Sequence, residues 1–202
     1  MSRAIDADGG VDEARPGRWL GLWRAPGSAG GTGSWRSLDG SLVYRYGTPD
    51  DDTPRDAGAV LTLLEPVLEV AGASAARVAR WHYVVETDVE PSAQADFDAW
   101  YTQEHMPGLA AVPGVVRARR FRAWTPAAGG GHAAPAPNAG GGMDGGADGL
   151  GAASPRWIAT YDLAEREAFN SPPWLAVRAT PWSSRVRPSF RNTRRTMFAR
   201  ID

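Results

Sequence analysis

A chain of 202 residues with 22 basic and 23 acidic side chains, for a formal charge of −1, can enclose one large core or two small ones, but it offers no global field to draw nucleic acid or a membrane surface. Cysteine and lysine are both absent, which excludes disulfides, thiolate metal sites, thiol nucleophiles, Schiff-base lysines and the P-loop lysine. An arginine-only chain rich in Ala, Gly and Pro fits the coding bias of a GC-rich bacterial genome.

Residues 1–16 are polar and acidic, without the apolar stretch of a signal peptide, and read as a disordered leader. No apolar run approaches the ~20 residues that span a bilayer, so the expected compartment is the cytoplasm. Residues 17–78 come next. Arg18–Arg24 (RWLGLWR) has the look of a strand, Ser34–Tyr46 of a hairpin turning at Asp39-Gly40, and Ala57–Val70 of a helix interrupted at Pro66. That pattern is a ferredoxin-like half module that has lost its first helix.

Residues 79–202 form the main predicted domain. Arg80–Asp88 (RWHYVVETD) is aromatic and β-branched, which predicts a strand. Pro91 opens a helix to Met106, with Phe97, Trp100, Tyr101 and His105 at helical spacing; Pro107-Gly108 is expected to end it. Pro113-Gly114 turns into a strand over Val115–Trp124. Residues 126–155 are Gly, Ala and Pro with almost no large apolar side chain, a predicted disordered loop that includes His132. Arg156–Leu163 is a third strand. Glu165–Phe190 is a second helical region broken at Pro172-Pro173 and Pro181, and Thr193–Ile201 is the last strand.

Strand, helix, strand, strand, helix, strand predicts an α+β fold: a ferredoxin-like antiparallel sheet with both helices on one face. The bare face then needs a second sheet. Either the chain's own first third supplies it, as an intrachain pseudo-dimer, or a second copy does, as a homodimer.

The run Phe97–Phe121 (FDAWYTQEHMPGLAAVPGVVRARRF) resembles the EthD-like branch of the dimeric α/β-barrel superfamily: an acidic, aromatic helix, a Glu-His-x-Pro turn, then a Val-Pro-Gly lead into an arginine-bearing strand. Asn170–Phe190 is similar to that family's second helix, including its Ser-Pro start. The resemblance covers Trp81–Ile201 without the glycine-rich loop. It implies a barrel fold and a small organic ligand. It does not imply one reaction, because the superfamily holds monooxygenases, isomerases, cyclases, haem enzymes and proteins without a known reaction.

His105 is the leading candidate for chemistry, since histidine exchanges protons near neutral pH and Tyr101, four residues earlier, shares its helix face. The alternative is a helix-capping histidine bonded to free carbonyls. Strand parity puts His82, Val84, Glu86 and Asp88 on one face, toward a polar interior, and Trp81, Tyr83, Val85 and Thr87 on the other, toward the helices. Arg117 and Arg119 share one face of their strand, Arg194, Arg195 and Arg200 lie on or beside the last strand, and one or two of these could clamp a carboxylate or enolate. Trp100 and its fellow tryptophans read either as an aromatic pocket or as core. Three scattered histidines make no metal-ligand spacing.

The sequence therefore predicts a small-molecule enzyme that needs no cofactor, with His105 and Tyr101 catalytic and His82, Glu86, Trp100, Arg117 and Arg119 binding the ligand. The alternatives are a non-catalytic ligand-binding or assembly module and, third, a haem protein using His105 or His82. The expected partners are a small organic molecule and the chain itself.

Overall fold

The structure, a computed structural model, describes residues 20–26, 33–47, 59–124 and 156–202. The expected leader and the glycine-rich loop, with His132, lie outside the described residues. Eight strands are present: β1 Leu20–Pro26, β2 Trp35–Ser37, β3 Leu42–Gly47, β4 Val60–Ala71, β5 Trp81–Val89, β6 Val115–Trp124, β7 Trp157–Leu163 and β8 Phe190–Arg200. They close into one antiparallel barrel in the order β1-β3-β2-β8-β5-β7-β6-β4. The ring reads as β4-β1-β3-β2 followed by β8-β5-β7-β6, so each half of the chain lays its strands down in the same permutation.

This corrects the predicted fold. There is no open ferredoxin-like sheet with helices on one face; the sheet is continuous through two seams, β2 with β8 and β4 with β6. The physical reason lies in the edges. An open sheet would leave β6 and β8 with unpaired backbone groups, and the first third of the chain supplies a partner to each. Its predicted helix over Ala57–Val70 is the strand β4. Thr62 and Leu64 alternate inward, and Pro66 is tolerated because the register shifts there, between Pro66 and Leu68. The hairpin turn is as expected: Gly40 takes φ +73°, which glycine adopts without strain, and Asp39 accepts from the Ser41 backbone N–H at 3.0 Å.

Helices cover the outside of the second half. They are α1 Gln94–Trp100, a π-helical turn Tyr101–His105, α2 Met106–Ala110, α3 Pro172–Arg178 and α4 Pro181–Val186. The first helix does not stop at Pro107-Gly108 as expected but runs on to Ala110. A proline inside a helix removes a donor and clashes with the carbonyl four residues back. Here the preceding turn widens, Met106 N–H bonding Tyr101 O five residues back, and this irregularity sits immediately before the proline. No helix among the described residues is long and apolar enough to cross a membrane.

Two cores result, and β5 serves both. Val84 packs with Leu22, Tyr44, Leu64, Phe121, Ile158 and Phe198 in the barrel lumen, while Tyr83 and Val85 pack with Phe97, Trp100, Leu109, Trp157, Tyr161 and Trp174 beneath the helices. Expected strand parity holds from Trp81 to Glu86. It breaks at Asp88, where a bulge turns the carboxylate to accept from Arg156 N and Asn192 Nδ2 instead.

Where β4 ends, a Cβ on Gly72 would collide with the Val115 carbonyl, backbone against backbone. Gly72→Ala is therefore expected to lower stability by about 2 kcal/mol, read as a drop in the urea midpoint with an unchanged slope.

Candidate functional site

The lumen holds two buried charge clusters. In one, the Arg24 guanidinium donates to Glu86 Oε1 at 2.5 Å, to Tyr44 Oη at 3.2 Å, and to Thr62 Oγ1, while Tyr44 Oη donates to Glu86 Oε2 at 3.1 Å. Arg194 approaches the same carboxylate at 3.4 Å. Burial, then the Glu86 charge, pushes the Tyr44 hydroxyl up to about 12, so it stays a donor.

In the other cluster, His82 Nδ1 meets Asp162 Oδ1 at 2.6 Å and His82 Nε2 meets Tyr46 Oη at 2.8 Å. Trp35 stacks on the imidazole at 4.8 Å. Arg117 donates twice to Asp162 Oδ2, at 3.0 and 2.8 Å, and Arg119 lies 3.7 Å from it. Burial alone would raise the Asp162 carboxyl; hydrogen bonding and charge from His82, with Arg119 and Arg117, outweigh it and hold Asp162 well below the carboxylate range. Both His82 nitrogens are engaged, so neither has a lone pair to offer a metal.

The second site lies on the other side of the sheet, between the outer face of β5 and β7 and the helices. The π turn delivers Tyr101 and His105 there; α3 brings Trp174 and Arg178; Arg187 and Arg195 come from the segment after α4 and from β8. Together they line a cavity of about 30 Å³, which holds one or two waters. The α3–α4 cover is fastened by a short relay: Thr180 donates to Glu104 Oε1 at 2.6 Å and accepts from Ser183 N at 3.1 Å, and Trp100 Nε1 donates to Ser183 Oγ at 3.2 Å. Glu104 is thus engaged by Thr180 and not by His105.

His105 is 7% exposed and stacked on Trp100 with ring centres 4.0 Å apart; Tyr101 meets it edge-on at 5.4 Å. Its Nδ1 has no hydrogen-bond partner among the described residues, and neither do Tyr161 Oη and Trp174 Nε1. This is not a capping histidine. Burial, reinforced by the Arg178 and Arg187 charges, brings it down to about 3, so it is neutral at physiological pH. Burial pushes the Tyr101 hydroxyl up to about 12.

The sequence candidates are therefore divided by the sheet. Tyr101, Trp100 and His105 converge under the helices. His82 joins Arg117 and Arg119 through Asp162 in the lumen, and Glu86 stands further along the lumen with Arg24. Sequence reasoning missed Asp162, Tyr46, Tyr161, Arg178 and Arg187, whereas Trp174 was among the tryptophans of a possible aromatic pocket and Arg195 among the possible clamping arginines. Parity along β7 puts Thr160 and Asp162 inward and Tyr161 outward, which would have found two of them.

No protein-family profile matches the chain, and no curated protein matches it. Solved structures do match in shape. A candidate monooxygenase from Lactobacillus acidophilus NCFM superposes with TM-score 0.54 at 11% identity, covering 91% of this chain and 94% of its own. A protein described as a major regulator of staphylococcal pathogenesis gives 0.50 at 8% identity, covering 90% and 99%. An anthrone oxidase-like protein gives 0.48 at 14%, covering 92% of each chain, too distant to carry an argument. The first two likenesses are of fold alone.

Two outcomes follow from the charge placement. Glu86→Gln removes the carboxylate facing a buried guanidinium and is expected to cost about 3–5 kcal/mol. Glu65→Gln, which loosens an exposed pair with Arg122 at 3.6 Å, should cost less than about 1 kcal/mol; chemical denaturation compares them. For His105, a folded value below the unfolded one means that the unfolded chain binds the extra proton. Its contribution is therefore complete above pH ~6.5 and is lost, by about 1.4 kcal/mol per pH unit, as pH falls toward 3. Stability of His105→Gln measured from pH 7 to 4.5 should lack that slope, with Tyr83, Tyr101, Tyr161, Arg178, Arg187 and Arg195 still facing the position.

Proposed function

We propose that this protein is a small-molecule enzyme of the EthD-like type, performing acid/base chemistry without a cofactor in the pocket beneath the helices. The observation that carries the reading is the meeting of three buried polar atoms without partners, His105 Nδ1, Tyr161 Oη and Trp174 Nε1, at one aromatic cavity. Buried polar groups are almost always bonded, and each one left bare costs about 1–3 kcal/mol. Three at one place are groups held ready for a ligand.

In this reading His105, with its proton on Nε2, presents the Nδ1 lone pair and takes a proton from the substrate. Tyr161 and Trp174 donate to the oxygen on which negative charge develops. Tyr101 sets the imidazole plane by edge-on contact. With Arg178 and Arg187 uncompensated, the imidazole is a weak base; negative charge on the bound substrate offsets those cations and strengthens it. Base and substrate thus come into register together.

A second reading, a binder without turnover, is favoured by the size of the cavity, about 30 Å³, and by a lumen filled with paired side chains.

Small-molecule screening by ligand-observed NMR, followed by turnover assays on the hits, separates the two. His105→Gln should retain binding within about tenfold and lose at least about 100-fold in turnover. Normal turnover by that variant would remove the acid/base assignment; binding without turnover by the wild type would establish the second reading.

A further inference from the structure

The pocket carries a charge imbalance that the fold does not need. Arg24, Arg117 and Arg120 each meet a carboxylate: Glu86, Asp162 and Asp98 in turn. Arg178, Arg187 and Arg195 do not. Among the described residues none of the three has an acidic partner, and the only side-chain hydrogen bond any of them makes is a long one, 3.5 Å, from Arg178 to Asn170 Oδ1. They are mutually repulsive: after burial, the charges of Arg178 and Arg195 are what lower the Arg187 guanidinium. All three line the same cavity as His105, Tyr161 and Trp174.

The placement is graded. Arg187 and Arg195 are exposed and Arg178 is partly buried, so the cations form the mouth. The rings and the residues that carry the unpartnered Nδ1, Oη and Nε1 line the same cavity. A guanidinium fork matches a carboxylate. Indole N–H and phenol O–H are donors, which match a second oxygen on the same molecule. The apolar walls between them match a flat body.

We propose that Arg178, Arg187 and Arg195 form the anion-binding mouth of this pocket, and that its ligand is a compact, flat organic carboxylate bearing a second oxygen. The inference rests on the pocket being the ligand site and adds its substrate class. The carboxylate is held at the rim by the arginines, and the second oxygen reaches inward to the donors beside His105. A cavity of water size accepts that oxygen, while the flat body rests at the mouth between the arginines. Three arginines that oppose one another in the free protein bind an anion with relief of their own repulsion.

Salicylate, which has both oxygens, and salicylamide, its neutral counterpart, are the probes. Binding to the full chain is followed by calorimetry and by the melting temperature, at low salt and at 0.5 M sodium chloride. Salicylate should bind at least tenfold more tightly than salicylamide, weaken with salt, and lose at least tenfold in the triple variant Arg178→Gln/Arg187→Gln/Arg195→Gln. In buffer free of multivalent anions, that variant should melt at or above the wild-type temperature, because it removes repulsion; a lower melting temperature would mean that the arginines are structural, and would overturn the proposal. Equal binding of the two probes, each perturbing the pocket tryptophans and indifferent to the arginine variant, would leave the pocket as the ligand site and overturn the anion assignment. Binding of neither, or of salicylate unaffected by both His105→Gln and the triple variant, would overturn both readings. If phosphate competes as well as salicylate, the mouth binds any anion and the organic class is wrong.

Discussion

Closing the sheet decides where charge can go in this protein. Once β2 and β4 cap the edges of the second-half strands, the lumen is sealed from water, and every ionised group inside must find its partner there. Arg24 and Glu86 do so with a direct contact and Asp162 with His82 and two arginines, while among the described residues Arg119 Nε and Thr160 Oγ1 go without a hydrogen bond. Aligning RWLGLWR on RWHYVVE sets Arg24 against Glu86, so the pair joins equivalent positions of the two half-barrels. Opposite charges on related strands let one buried contact tie the halves together, where like residues would repel or leave a void.

The helix side follows a different rule. There the chain buries rings and spends little on pairing: one histidine, one tyrosine and one indole nitrogen are left without hydrogen bonds, and three arginines stand together unneutralised. Arg120 shows that the layer can satisfy a cation when structure requires it; its guanidinium is bonded to Asp98 and covered by Trp157, Phe97 and Tyr101 at 4.2, 4.6 and 4.7 Å. The contrast between Arg120 and the three at the rim is the contrast between a group placed for the fold and groups placed for something outside it. The widened turn before Pro107 belongs with the latter, since it is what aims Tyr101 and His105 together at β5 and β7.

Much of this was legible in the chain. Strand parity on β5 sorted its side chains between two environments, and the Tyr101–His105 spacing put both on one face. Other features were hidden for definite reasons. Val60–Ala71 has an apolar density that either a helix or a strand can use, and only the vacant edge of β6 makes it a strand. The helix past Gly108 was lost because proline and glycine there normally terminate, and a π turn leaves no signature in composition. Arg195 was in view as a possible clamp on the last strand, but its meeting with Arg178 and Arg187 was hidden in the packing of the broken helical segment against β8; an unpaired charge is defined by its neighbours, which a sequence does not list. The largest misreading, an open sheet, came from treating the first third as a cover laid over a face when it is instead the missing part of a ring.

The repeated strand permutation has a consequence for stoichiometry. Two half-barrels of equal standing would each carry a helical layer and hence two equivalent pockets. Among the described residues the helices belong to the second half alone, so the proposed pocket occurs once among them. A pocket that occurs once predicts one equivalent bound on a simple hyperbola, and leaves the first half free to drift in sequence so long as it keeps the ring closed.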